Sequence, residues 1–152
     1  PSEGLIAALE RFGTLYPGHL RCRWLWRLGV APQDEARDAA LIAGCERHMR
    51  ETGQSPDEFF FAHRGGRAQS PELKALLADY EASAPDHDYW HDGAPQSMLY
   101  DEVEAIWSAI DRDDDWQPLL DKVVAVRRMG QAHGTAPEPA ARRAGDESEK
   151  AR

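Results

Sequence analysis

Residues 98–130 read MLYDEVEAIWSAIDRDDDWQPLLDKVVAVRRMG, and this stretch decides the fold class. Leu99, Val103, Ile106, Trp107 and Ile110 recur three and four residues apart, which places them on one face of a 3.6-residue period. Leu119, Val123 and Val126 repeat the pattern, with Trp116 and Leu120 widening the stripe. Between the two runs, Asp111 to Asp115 is almost wholly charged and belongs in solvent. Two amphipathic helices joined by a short polar turn make an αα-hairpin. Asp115 is positioned to cap a helix starting at Trp116, and Pro118 fits its first turn, where a missing N–H costs nothing. The twelve-position calcium loop, with its central glycine and closing glutamate, is absent from this turn. Neither helix can bury its stripe alone, so the rest of the chain is expected to supply the opposing wall.

Upstream, the same period recurs. Leu5, Ile6, Leu9 and Phe12 predict a short helix from Ser2 that ends at Gly13, with Tyr16-Pro17-Gly18 as an interruption. Leu20, Trp24, Leu25 and Leu28 predict a second helix over residues 19–28, closed by Gly29. Residues 33–52 form the longest candidate. Asp34 and Glu35 suit its first turn and Arg47, His48 and Arg50 its last, in agreement with the helix dipole. Its inward side is expected at Ala39, Ile42, Cys45, Glu46 and Met49, with Leu41 adjoining, and Gly44 is expected to mark a close contact. Ser55-Pro56-Asp57-Glu58 has the form of a capping box with proline at the first helical position. Phe59, Phe60 and Phe61 then point 100° apart, which calls for a short helix touching neighbours on several sides. Ser70-Pro71-Glu72 opens another helix bearing Leu73, Leu76, Leu77 and Tyr80. Residues 82–96 read as irregular, anchored by Tyr89 and Trp90. The expected fold is therefore all-α, an irregular bundle of about five to seven helices. Residues 1–130 form a single helical domain and residues 131–152 a disordered tail, because only alanines and one threonine there could pack.

Composition narrows the function classes. The formal charge is −9 over 152 residues and the isoelectric point about 5.1. A field of that sign disfavours nucleic acid and anionic membrane as partners. No apolar run of bilayer length occurs, and no signal peptide opens the chain. Cys22 and Cys45 lack metal or redox spacing, so both are expected as reduced thiols in a cytoplasmic protein.

Two polar constellations are candidate sites. In His63-Arg64-Gly65-Gly66-Arg67, Arg64 and Arg67 are the candidates for holding a phosphate, although no strand precedes the loop and no Gly-Lys-Ser/Thr follows it. In Asp86-His87-Asp88-Tyr89-Trp90-His91-Asp92, a local α-helix would put His87 and His91 on one face and Asp88 and Asp92 on the next, chemistry suited to zinc or a redox metal. A flexible glycine loop is the simpler account of the first, and an anchored crossing loop of the second. No catalytic residue is designated.

Three segments, LERFGTLYPGHLRCRWLWRLGV (9–30), EARDAALIAGCERHMRETGQSPDEFF (35–60) and residues 98–130, together resemble the C-terminal helical region of the selenoprotein O family. That family, also called YdiU, comprises kinase-like protein adenylyltransferases. The likeness spans residues 9–130 and rests on the order of parts: a helix ending in Arg-Leu-Gly, a long helix leading to paired phenylalanines, and a late pair joined around Asp-Asp-Trp. It implies a parent enzyme that moves AMP from ATP to protein hydroxyls with magnesium, and a kinase-like domain in cis, or another protein surface, as partner. This chain has no glycine-rich nucleotide loop, no magnesium-binding Asp/Asn set and no cysteine near its C-terminus. No cofactor and no autonomous transfer activity are therefore expected of it. A stand-alone helical interaction module, or a small metal protein using His87 and His91, are the alternatives.

Overall fold

The computed structural model describes residues 2–68, 70–84 and 86–136, with side chains from Gly4 onward. Six α-helices account for most of them: α1 (Ser2–Leu28), α2 (Glu35–Thr52), α3 (Pro56–His63), α4 (Pro71–Leu77), α5 (Tyr100–Asp113) and α6 (Gln117–His133). Short 3-10 helices cover Arg64–Gly66 and Asp88–His91. The only extended pairing among the described residues is a single antiparallel bridge between Val30 and Ala82. The irregular all-α bundle expected from periodicity is the fold observed. No helix among the described residues is long and apolar enough to cross a membrane.

Local chemistry sets the boundaries. Asp34 caps α2 by accepting from the Arg37 N–H at 3.0 Å. Gly53, in the left-handed region at φ 70°, closes that helix with its N–H on the Met49 carbonyl at 2.9 Å. Ser55 and Glu58 form the full reciprocal capping box of α3. Ser70 caps α4 through the Leu73 N–H at 3.2 Å. At the hairpin tip, Asp114 takes a left-handed conformation; Asp115, expected as the cap, stands one residue before the N-cap Trp116 and accepts from the Gln117 N–H at 2.9 Å. Its helix continues through Gly130 to His133, and Ala132 is fully buried. Most of the expected tail lies outside the described residues.

The main core joins the C-terminal half of α1 to α2, α3 and α4 through Leu25, Leu28, Val30, Leu41, Cys45, Phe59, Phe60, Leu73 and Leu77. Gly44 permits the α2–α4 approach, since a Cβ there would overlap the Leu76 side chain. The inward side of α2 runs one position earlier than expected, through Asp38, Leu41, Gly44 and Cys45. Buried Asp38 sits on that core face. Its Oδ1 accepts from the Tyr80 hydroxyl at 2.9 Å and the Gln33 N–H at 3.1 Å, while Arg21 stands 3.7 Å from Oδ2. A second cluster of Tyr89, Trp90 and Ala132, with Phe61 and Met129 against it, seats the end of α6. The three consecutive phenylalanines serve both clusters: Phe59 and Phe60 the first, Phe61 the second.

Two expectations fail. The first concerns α1, which is one 27-residue helix running through Gly13, Pro17 and Gly18 without the break predicted there. Against an all-alanine helix, three glycines and an interior proline cost about 6 kcal/mol together. Nothing lies within 4 Å of a Cβ built on Gly4, Gly13 or Gly18, so no close packing explains the glycines. The second concerns the opposing wall. The stripe of α5 does not bury: no α5 residue is buried, and Leu99, Val103 and Trp107 are exposed. Leu5, Ile6, Leu9, Phe12, Tyr16 and Leu20 of α1 are exposed as well. Periodicity found the stripes; among the described residues nothing covers them.

Exposure on this scale makes a sharp expectation. Leu9→Glu and Phe12→Glu leave the thermal midpoint of the isolated chain within about 2 °C, as surface substitutions do. Leu25→Ala, in the main core, costs on the order of 2–5 kcal/mol and lowers it by several degrees or more. Thermal unfolding followed by circular dichroism separates the two classes.

Candidate functional site

The arginine loop is built around a buried guanidinium. Arg64 is 3% exposed. Its Nη1 donates to the Trp26 carbonyl and, at 2.9 Å, to the Arg27 carbonyl. These carbonyls belong to the last turn of α1, where helix geometry leaves acceptors unpaired and the dipole is negative. The guanidinium carbon lies 4.8 Å from the Trp90 ring centroid, in cation–π range. Burial pulls the Arg64 pKa down to about 10, still well above neutrality. Gly29, at φ 72°, lies directly against it: a Cβ there would fall 2.7 Å from Ala84 Cβ and 2.9 Å from Arg64 Nε. Arg67 donates from Nε to the Arg64 carbonyl at 2.9 Å and from Nη2 to the Phe61 carbonyl at 3.0 Å. Both candidate phosphate-binding arginines are thus engaged by backbone carbonyls of their own chain.

The His/Asp stretch is divided among separate tasks. Asp88–His91 is a 3-10 helix, in which positions four apart are rotated by roughly 120°. The shared α-helical face expected of His87 and His91 therefore does not form. His87 caps the turn, its Nδ1 accepting from the Tyr89 N–H at 3.1 Å. Asp92 is held by both terminal nitrogens of Arg128, the second at 3.2 Å. Asp88 and His91 are exposed. Among the described residues, no group of three or more His, Cys, Asp or Glu side chains could hold a metal ion. Tyr89 and Trp90 are buried at 1% and 8% exposure and anchor the segment as expected. Cys22 and Cys45 are free, and burial pushes the Cys45 thiol up to about 12, far from a nucleophilic thiolate.

Open clefts occur among the described residues as well. One of about 680 Å³ is lined by His48, Thr52, Glu58, Phe61 and Ser70, among others. Glu58 is already committed to Ser55 there, which lowers its pKa. Another, of about 440 Å³, lies between α5 and α6 along Ile106, Pro118 and Ala125. Its floor is Lys122, 8% exposed, which donates to Glu102 at 2.6 Å and Gln96 at 3.1 Å. This interhelical pair escaped the periodicity analysis, because only the fold brings residues 20 apart together; a lone lysine among the apolar residues of α6 was the available signal. Neither cleft aligns a nucleophile with a base.

What the surface does present is apolar. The α1 stripe and the hairpin residues Leu99, Val103, Trp107, Leu120 and Val124 are all exposed. Contiguous apolar surface rimmed by polar residues marks an interaction face.

No protein-family model and no solved structure matches the chain. It is similar to a protein nucleotidyltransferase YdiU of Gloeobacter violaceus, 22% identical over 154 residues, which cover 84% of this chain and 32% of the relative. The chain spans about a third of that protein's length. The similarity is partial and at the level of the YdiU and selenoprotein O family.

Removing the buried guanidinium should be severe. Arg64→Met, which keeps much of the stem, costs on the order of 2–4 kcal/mol because the Arg27 carbonyl loses its donor and the Trp26 carbonyl keeps only the Gly29 N–H. Gly29→Ala, forced into the left-handed region against Arg64, destabilises by at least about 1–2 kcal/mol. Denaturant midpoints measure both. The pH response follows from two histidines. His133 lies between Trp26 (5.3 Å) and Trp90 (4.9 Å), with its Nδ1 buried and unbonded. Burial, reinforced by Arg64 and Arg27, pulls its pKa from 6.5 to about 4. His63 is likewise pushed down, chiefly by burial. The unfolded chain therefore takes up these protons first as pH falls. Stability is full above pH 6.5 and declines toward pH 4. His133→Phe should flatten that decline, measured as denaturant midpoint against pH.

Proposed function

We propose that the chain is a noncatalytic helical domain of a YdiU-type protein nucleotidyltransferase. The transfer of AMP from ATP, with magnesium, to protein hydroxyls falls to a kinase-like part outside this chain. The observation that carries the proposal is the 154-residue similarity, which spans 84% of this chain and only 32% of the relative. The site chemistry agrees with it. The arginines that would meet a phosphate are spent on backbone carbonyls, whereas two amphipathic faces stand open. A domain that positions or completes an enzyme needs apolar faces of this kind and no nucleophile.

Two measurements test it. Calorimetric titration of the chain with Mg·ATP should show no saturable binding up to millimolar nucleotide, and incubation with alpha-labelled ATP and a protein acceptor should transfer no label. Autonomous transfer would overturn the noncatalytic assignment. A structure of the Gloeobacter violaceus protein should contain, within the matched segment, helices in the order and pairing of α2 to α6. A different architecture there would remove the family assignment itself.

A further inference from the structure

We infer that residues 4–20 of α1 are a docking arm, and that its helix is completed by burial in an apolar groove of the nucleotidyltransferase region. That region is the part of the relative lying outside its match to this chain, so the inference rests on the function proposed above.

The arm has a face but no support. Leu5, Leu9, Phe12 and Tyr16 follow a 4-3-4 spacing, and Ile6 and Leu20 flank them; all six are exposed. Phe12 stacks on Tyr16 at 5.1 Å, an aromatic contact within the arm itself. In a two-stranded coiled coil the positions beside such a seam carry the charges that choose the partner. Here they are Ile6, Ala8, Gly13, Leu15 and Leu20, while Glu10 and Arg11 lie on the opposite side. A face this wide fits a groove built from more than one element. Its backbone makes the same demand. Three glycines without neighbours and an interior proline leave an uncovered helix unable to sustain itself. Helicity of the arm is therefore coupled to docking.

Other occupants fit less well. Residues 137–152 contain no large apolar side chain with which to cover the stripe. A second copy brings another net charge of −9 to the contact. About two-thirds of the relative lies outside the match, enough chain for a separate folded region.

Hydrogen exchange read by mass spectrometry, with sedimentation on the same samples, tests the inference. The isolated chain should be monomeric, with arm amides at least about 100-fold less protected than those of α2. In the full-length Gloeobacter violaceus protein, the helix preceding the α2 equivalent should be protected as strongly as that equivalent. Concentration-dependent dimerisation that protects the arm would assign the face to a second copy and overturn the inference. So would an arm protected in the monomer, or an unprotected helix in the full-length relative. None of these results touches the family assignment, which stands or falls on the architecture of the matched segment.

Discussion

Desolvating a guanidinium is among the larger costs a fold can carry, and here Arg64 carries it at the point where four segments meet. Its two hydrogen bonds fall on the last turn of α1, its flat face on Trp90, and its Nε edge on Gly29. The negative end of α1 and the π face of Trp90 offset the lost hydration. The other dispositions follow from this one. Gly29 has to lack a side chain, the 3-10 helix carrying Trp90 has to lie over the end of α1, and His133 reaches Trp26 and Trp90 together. The end of α6 is seated there as a result.

The short helix α3 divides its labour around this joint. Phe59 and Phe60 face the compact core of α1, α2 and α4, whereas Phe61 faces Tyr89 and Trp90. Side chains buried in these clusters hold the chain together. The outer faces of α5 and the N-terminal half of α1 hold nothing within it. The residues that hold the fold and the apolar residues it leaves exposed are thus different sets.

Local signals were legible in the sequence. The capping box at Ser55–Glu58, the proline starts of α3 and α4, the stop at Gly53, the close contact at Gly44 and the anchoring pair Tyr89–Trp90 all depend on neighbours a few residues away or on intrinsic size. The amphipathic faces were legible as faces, but periodicity does not say what covers them, so the wall expected opposite the hairpin was sought within the chain. The same limit hid Arg64. A glycine-flanked arginine fits a phosphate loop equally well until the fold brings the end of α1 against it. The pairing of His87 with His91 depended on an α-helical turn, and Asp88–His91 winds at three residues per turn instead. Continuity through Gly13 and Pro17 ran against every local preference, which is why α1 was expected in two pieces.

The hairpin is fastened at the far end of α6, by the Trp90–His133 contact and the Arg128–Asp92 pair. The acidic tip at Asp114 is a long way from these fastenings, because α6 alone runs for about 25 Å at 1.5 Å per residue. Geometry makes this a lever: a 10° rotation at the seat sweeps the tip through roughly 4 Å. Pressure on the exposed face of α5 would be felt at Trp90 and, through it, at Arg64 and the end of α1.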